Sequence, residues 1–327
     1  MKPVETTENG KLQICIEERI TERELDKKLE EEILEGRLSG AEHCFRDSVH
    51  WYNLAMGYVN PYNISRVHAE LALIEKHSQA VKAFNVNYPN DDPLFEAIRR
   101  KTLVFYGVGI GDTEMEFVDW QLRSDHNPVQ VIGIDVNKDF LECFAIALKN
   151  RLIETRITGG CSSHKTIITY KGLNALFGQV TREDIKFDGS EEQGSANICV
   201  GSTIGNFYYD NDIFRIFDRT SSLGDSLILG FQTNRHLDIL FEKYRRNPLF
   251  AEFVLSWVPK NERSKLDWFY DPHNGLIIAK HKSIEVFRSR KYDPERLTFQ
   301  VQCHGFDLKY QDIDQEGNTC IQVYEKL

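Results

Sequence analysis

The chain of 327 residues lacks several patterns that mark membrane, secreted or metal-binding proteins. It has no apolar run long enough to cross a bilayer, and its polar start, MKPVETTENGK, does not resemble a signal peptide. Its seven cysteines are scattered without a CxxC pair, and no His/Cys cluster has metal-ligand spacing. These absences predict a cytoplasmic protein with reduced thiols and no metal site.

The chain also has little positive charge to offer a polyanion. Its 50 acidic residues outnumber the 40 basic ones, and no lysine-rich block or basic helix stands out. Neither nucleic acid nor a membrane surface is therefore expected as a partner. Hydrophobic residues make up 41% of the chain, which is enough core for one large or two medium domains.

A strand, a glycine-rich turn, a helix and a second strand follow one another between residues 103 and 135. Leu103–Tyr106 and Val129–Ile134 are apolar runs of β-type residues, and the second run ends on Asp135. This order is typical of a nucleotide-binding βαβ unit, in which a carboxylate accepts the ribose hydroxyls. Thr113 and Glu116 form a capping box that predicts the helix start. The turn carries Gly107, Gly109, Gly111 and Asp112.

The glycine spacing indicates which nucleoside is bound. A dinucleotide fingerprint reads G-x-G-x-x-G, whereas this turn reads G-x-G-x-G followed by Asp112. That spacing resembles the first motif of class I S-adenosylmethionine-dependent methyltransferases. Asp112 is unfavourable beside a pyrophosphate and favourable beside a sulfonium and an ammonium group. A plain tight turn without a ligand remains the alternative.

Two later loops offer further polar side chains. After a helix that Asn137 caps, Thr166–Tyr170 is a predicted strand, and Asn174 in the next loop is a candidate to edge the adenine. Residues 196–200 form another apolar strand that runs into GSTIGNF. In a doubly wound sheet this strand's carboxyl end faces the ligand crevice. Ser202 and Thr203 are therefore candidate cofactor contacts and Asn206 a candidate acceptor contact, the alternative being a turn ahead of a helix capped by Asp210.

The C-terminal third predicts a strand at 226–231, a helix at 236–246, a three-stranded meander and a terminal antiparallel hairpin. The fold class expected is therefore α/β: a Rossmann-like, mostly parallel twisted sheet with a terminal antiparallel strand. Near the N-terminus, Thr21 and Glu24 cap a predicted helix, and a second helix is expected over about 65–84. Between them, Tyr58 and Tyr62 flank Asn60-Pro61 and are candidates for the rim of a pocket.

Several segments together resemble the histidine-specific, S-adenosylmethionine-dependent methyltransferase family. The resemblance covers nearly the whole chain, and GSTIGN matches the family most closely. It implies a methyltransferase domain over 67–236 and 288–327 and a smaller α+β substrate-binding or lid domain over 1–66 and 237–287. The segments are EGRLSG (35–40), YVNPYNISRVHAE (58–70), GVGIGD, GIDVNKDFL, GSTIGN (201–206), KYRRNPLFAEF (243–253) and IEVFRSRKY (284–292).

The resemblance also assigns roles to single residues. It places Gly107 in the cofactor loop and Asp135 on the ribose. It gives Asn206, Tyr62 and Tyr244 the catalytic role of holding the amino-acid backbone of the substrate. Ser289 would line the substrate pocket.

Two departures from the family pattern bear on the substrate. Phe287 stands where the histidine enzymes have an acid that contacts imidazole, so histidine is not the expected acceptor. The family's N-terminal aromatic-Asp-x-x-Gly-Ser motif is replaced by FRDSVHWYNLA. The prediction is an S-adenosylmethionine-dependent N-methyltransferase acting on a small amino acid or amine. The alternatives are a non-catalytic S-adenosylmethionine-binding protein of the same fold and a nicotinamide-dependent oxidoreductase.

Overall fold

The computed structural model describes residues 5–7, 10–38, 70, 72–77, 92–99, 101–109, 111–123, 128–157, 166–187, 194–201 and 203–327. The predicted site residues Tyr58, Tyr62 and Ser202 lie outside these ranges. Of the helix expected over about 65–84, Glu70 and residues 72–77 are described and are helical. None of the helices in these ranges is both long and apolar enough to cross a membrane.

The described elements alternate between strands and helices, as an α/β fold requires. The strands are β1 (Glu5–Thr7), β2 (Gly10–Glu18), β3 (Thr102–Tyr106), β4 (Val129–Asp135), β5 (Thr166–Asn174), β6 (Ser195–Cys199), β7 (Ser226–Gln232), β8 (Asp267–Asp271), β9 (Leu276–His281), β10 (Ile284–Arg290), β11 (Phe306–Ile313) and β12 (Thr319–Lys326). The α-helices are α1 (Glu22–Leu34), α2 (Pro93–Ile98), α3 (Asp112–Arg123), α4 (Lys138–Ile157), α5 (Asp210–Thr220), α6 (Leu237–Arg246), α7 (Pro248–Val254) and α8 (Pro294–Gln302).

Nine strands form one sheet in the order β1-β2-β5-β4-β3-β6-β7-β12-β11. The six strands from β2 to β7 in this order are parallel, and antiparallel strands lie at both edges. Central strands are apolar on both faces because helices cover both faces. In β3, Leu103 and Phe105 join the core on one face, and Val104 and Tyr106 join the core on the other.

The order of the strands reverses around β3. Strands β4, β5 and β2 lie on one side of it, and β6 and β7 lie on the other. In open α/β sheets such a reversal opens a crevice at the carboxyl ends of the strands, where ligands bind. The turn after β3 and the loop after β6 therefore meet at the expected ligand side.

A second, three-stranded antiparallel sheet (β10-β9-β8) forms a smaller unit with α6 and α7. The segment after α1 joins it, since Arg37 bridges Glu285 and Leu38 is part of the same core. The predicted meander and terminal hairpin are confirmed. Residues Gly10–Glu18, however, pair in parallel with β5 in the large sheet. The sequence analysis placed these residues in the smaller domain because it could not foresee strand pairing between distant segments, and the division of the chain into domains stays a prediction.

Two helices begin at a different residue from the one that the sequence predicted. The carbonyl of Gly111 accepts the first helical bond of α3, from the N–H of Met115 at 2.9 Å, so the predicted capping box at Thr113 lies inside the first turn. Asp210 is likewise the first residue of α5 and not its cap. The capping box of α1 is confirmed. Asn137 caps α4, since its Oδ1 accepts from the N–H of Asp139 at 2.9 Å.

Candidate active site

The three glycines after β3 adopt backbone conformations that other residues rarely adopt. Gly107, Gly109 and Gly111 have φ of +79°, +50° and +83°. A Cβ on Gly111 would overlap the ring of Phe144 on α4, and one on Gly107 would lie 3.2 Å from the side chain of Thr203. The turn therefore requires glycine both for its conformation and for its packing. Asp112 opens α3, and only its backbone is described.

Asp135 ends β4 directly beside this turn. Its side chain is buried and accepts hydrogen bonds from the N–H of Asn137 at 2.9 Å and, more weakly, from the N–H of Gly109 at 3.4 Å. Burial raises the pKa of this carboxyl from 3.8 to about 6, and the neighbouring backbone N–H groups oppose that rise. A buried carboxylate at the end of this strand is suited to accept the two hydroxyls of a ribose.

Asn174 is the last residue of β5 and lies in register with Asp135. The structure therefore places it in a strand and not in the loop that the sequence predicted. Its amide donates to the main-chain oxygens of Asp135 at 3.3 Å and Val136 at 2.7 Å. This side chain braces the end of β4, and contact with an adenine stays a prediction.

The loop after β6 is held by Glu70, the last residue of the 58–70 segment that carries part of the family resemblance, and the sequence analysis gave this residue no role. Glu70, which is buried, accepts the N–H of Gly201 with both carboxylate oxygens at 3.1 Å. The hydroxyl of Thr203 donates to the carbonyl of Val200 at 3.1 Å, which turns the chain back over Gly107. Residues 203–206 then form a short 3₁₀ helix that ends on the half-buried Asn206.

This 3₁₀ helix also contacts the smaller unit. A Cβ on Gly205 would overlap the carbonyl oxygen of Arg290, so glycine is needed here for close approach. The hydroxyl of Tyr292 donates to the carbonyl of Ile204 at 3.0 Å. The loop therefore lies between the glycine turn on one side and the end of β10 on the other, which puts Asn206 at the boundary of the two units.

Tyr244 and Ser289, predicted separately as substrate contacts, are brought together by a lysine that the sequence analysis missed. Both side chains are buried, and so is Lys291. The lysine Nζ donates to the Ser289 hydroxyl at 2.9 Å, the Tyr244 hydroxyl at 3.2 Å and the Gln232 amide oxygen at 2.6 Å. A usable signal was present in the alternation along the strand, because residues 289 and 291 share one face.

Phe287 lies on the same face of β10, within the core of the smaller unit. Its ring centroid is 4.9 Å from that of Phe250, 5.6 Å from that of Tyr244 and 6.3 Å from that of Trp268. Phe287 therefore packs in the core of the smaller unit, independently of any contact with the substrate. Its predicted contact with the acceptor stays a prediction, and so do the contacts of Tyr58, Tyr62 and Ser202.

A family model described as "Histidine-specific methyltransferase, SAM-dependent" matches residues 65–271, which is more than half of the chain. The chain belongs to this family. It is therefore an enzyme that uses S-adenosylmethionine, and the nicotinamide alternative is set aside. The positive-φ glycine turn and the buried Asp135 carboxylate fit this cofactor, which supplies an electrophilic methyl group when it is bound.

Comparison with solved structures found distant similarities. Magnesium protoporphyrin IX methyltransferase from Synechocystis PCC 6803 is 11% identical, with coverage of 88% of this chain and 97% of that one and a TM-score of 0.45. A methyltransferase from Methanosarcina mazei is 14% identical (74% and 98% covered, TM-score 0.43). The CcbJ methyltransferase from Streptomyces caelestis is 11% identical (79% and 89% covered, TM-score 0.41). No curated protein matched the chain.

Proposed function

We propose that this methyltransferase acts in the cytoplasm on a nitrogen of a small amino acid or amine, with histidine a poor acceptor. The observation that carries the proposal is the position of the 203–206 loop, which packs on the cofactor turn at Gly107 and on β10 at Arg290. An acceptor held at this boundary can contact Asn206 and the Tyr244–Ser289 pair while it faces the cofactor. A small molecule suits this buried, hydroxyl-lined setting better than a macromolecule.

The proposed reaction forms a nitrogen–carbon bond as the sulfur–methyl bond breaks, and the electron pair of that bond stays on sulfur. The amine must be neutral to attack, so its proton leaves to water before the transfer. Asn206 can both donate and accept hydrogen bonds and so orient the amine. Positioning of this kind contributes up to about 7–11 kcal/mol in favourable cases, and no strong base is required.

We also propose that the smaller unit selects the acceptor. It comprises α1 and its extension, α6, α7 and β8–β10, which share one core. Phe287 supplies an aromatic wall there, one pleat away from Ser289 on the same strand. Imidazole against this ring would leave polar nitrogens unpaired at a cost of about 1–3 kcal/mol, whereas an apolar or aromatic side chain would gain ring contact.

The test is mass spectrometry of histidine, tryptophan, tyrosine, phenylalanine and leucine, each with its decarboxylated amine, incubated with the enzyme and methyl-labelled S-adenosylmethionine. We expect an N-methylated product, and an initial rate on histidine below the best acceptor. Transfer to a carboxylate oxygen, or to none of these compounds, would contradict the proposed nitrogen acceptor. Histidine as the best acceptor would contradict the role given to Phe287.

A further inference from the structure

The ring of Tyr208, two residues after Asn206, is contacted by two arginines of the smaller unit. The guanidinium carbon of Arg37, just after α1, lies over this ring at 4.2 Å from its centroid, and that of Arg288, on β10, lies over it at 4.1 Å. Tyr208 itself belongs to the loop between β6 and α5. Its aromatic face therefore joins the large sheet to the smaller unit through two cation–π contacts.

Both arginines are anchored on Glu285 at the start of β10. Arg37 forms a β-bridge with this residue, and the N–H of Leu38 donates to the carbonyl of Glu285 at 2.9 Å. The guanidinium of Arg288 donates to both carboxylate oxygens of Glu285 at 2.6 and 3.0 Å, which orients its plane. Two cations that converge on one place repel each other, and the negative face of an aromatic ring offsets that repulsion. This arrangement therefore favours a ring at position 208.

Phe207 attaches the same segment to the glycine turn. Its ring stacks on that of Phe177, with the centroids 5.9 Å apart and the planes at 28°. Phe177 in turn approaches the glycine turn, since its Cζ lies 3.6 Å from the Cβ position of Gly107. Two consecutive residues after Asn206 are therefore held separately, one toward the glycine turn and one toward the smaller unit.

Asp210, the first residue of α5, adds a second link to β10. Its Oδ1 lies 2.8 Å from the Nε of Arg290 in a mostly buried ion pair, and the hydroxyl of Tyr292 lies 3.2 Å from the same oxygen. Arg288 and Arg290 share one face of β10 because side chains alternate along a strand, and Ser289 lies on the other face. One face of the strand thus holds the loop, while the opposite face belongs to the proposed acceptor side.

We propose that Tyr208 is a positioning residue whose ring, held by Arg37 and Arg288, sets where Asn206 stands between the glycine turn and the smaller unit. The inference rests on the proposed function and deepens it, because Asn206 orients the acceptor there. Tyr208 acts through the backbone that joins it to Asn206. A displacement of about 1 Å at a positioning group can slow a reaction by about 100-fold, so a small shift of this loop is enough to matter.

The kinetic test compares Tyr208→Leu with Tyr208→Phe on the best acceptor of the wild type. Tyr208→Leu removes both cation–π contacts and should lower kcat by about tenfold or more, with the affinity for S-adenosylhomocysteine within about twofold of the wild type. Tyr208→Phe keeps the ring and should keep kcat within about twofold. The stoichiometry of S-adenosylhomocysteine binding gives the folded fraction, to which kcat is normalised. An equal loss in both variants, or an unchanged kcat in Tyr208→Leu, would overturn the inference.

Phe269→Leu is the matched control. Phe269 is exposed on β8, and its ring centroid lies 5.6 Å from the Nζ of Lys280, so this variant removes a cation–π contact of the smaller unit away from the loop. Its kcat should not change. Arg37→Met removes one of the two cations and should lower kcat less than Tyr208→Leu does, and it replaces that variant if Tyr208→Leu does not fold. In the Tyr208→Leu background it should change kcat by less than about twofold, because the ring is gone. Additive losses would contradict the shared contact.

Hydrogen exchange followed by mass spectrometry tests the contact without turnover. The amides of residues 203–210 should exchange about tenfold faster in Tyr208→Leu than in the wild type, because the loop opens more readily, and at the wild-type rate in Phe269→Leu. Unchanged exchange in Tyr208→Leu would overturn this inference alone. A wild type that methylates no tested compound would overturn the proposed function, and the exchange rates would still decide whether Tyr208 holds the loop.

Discussion

We expect Asp135 to make the affinity for S-adenosylmethionine depend on pH. The folded protein holds the pKa of this carboxyl at about 6, against an ordinary value of 3.8, because the group is buried. A carboxyl whose pKa is raised in the folded state stabilises that state at low pH relative to high pH. The contribution of Asp135 to the free energy of unfolding is therefore complete below pH 3.8 and is lost as the pH rises to 6. A shift of about two pKa units corresponds to about 3 kcal/mol in the free energy of unfolding.

Ribose hydroxyls that donate to Asp135 favour its charged form and therefore lower its pKa in the complex. If binding restores the ordinary value, affinity rises about tenfold per pH unit between pH 4 and 6, and is flat above 6. Isothermal calorimetry with S-adenosylhomocysteine in two buffers of different ionisation enthalpy measures both the affinity and the protons released. Asp135→Asn should weaken binding at pH 7.5 by about 1–3 kcal/mol and abolish this dependence. An equal pH dependence in the folded variant would refute the reasoning.

Three substitutions around the glycine turn and the 203–206 loop test their separate roles. Asn206→Ala should leave the affinity for S-adenosylhomocysteine nearly intact and strongly lower the rate of methyl transfer. An equal loss of affinity and rate would show that Asn206 serves cofactor binding or folding and not the acceptor. Gly205→Ala should lower stability by about 1–3 kcal/mol, measured by urea unfolding, because the new Cβ overlaps the carbonyl of Arg290. Gly178→Ala is the control, since nothing lies within 4 Å of its Cβ position, and an equal effect would contradict this account. Gly111→Ala should lower stability at least as much as Gly205→Ala, because the strain of a positive φ adds to the overlap of the new Cβ with the ring of Phe144. The melting temperature measured by calorimetry checks this prediction.

The glycine turn and the position of Asp135 at the end of its strand were predictable from the sequence because their signals are local. The glycine turn and Asp135 belong to one βαβ unit, and the residues of that unit are close along the chain. The loop from Thr203 to Asn206 follows directly on an apolar strand. Such patterns depend on backbone conformation and on hydrophobic periodicity, which short segments carry by themselves.

The parts of the fold and of the site that were not predicted depend on contacts between segments that are distant in sequence. Glu70 meets Gly201 across 131 residues, and β2 pairs with β5 across about 156. Lys291 stands in the charged string RSRKY, which in isolation is typical of a solvated strand end. Its burial follows from α6 and β7 closing around it, and neither element is adjacent to it in sequence.

These two kinds of contact meet in the 203–206 loop, and from this we expect the proposed acceptor site to vary independently of the glycine turn. The loop is held at its start by Glu70 and at its end by contacts with Tyr292 and the backbone of Arg290. The second set belongs to β10 and the residues just after it, which also carry Phe287. Because the contact with Arg290 is made by its backbone, side chains on the inner face of β10 can vary without moving the loop or the glycine turn. We therefore expect that a family member can keep GSTIGN and Asp135 and still differ in its acceptor.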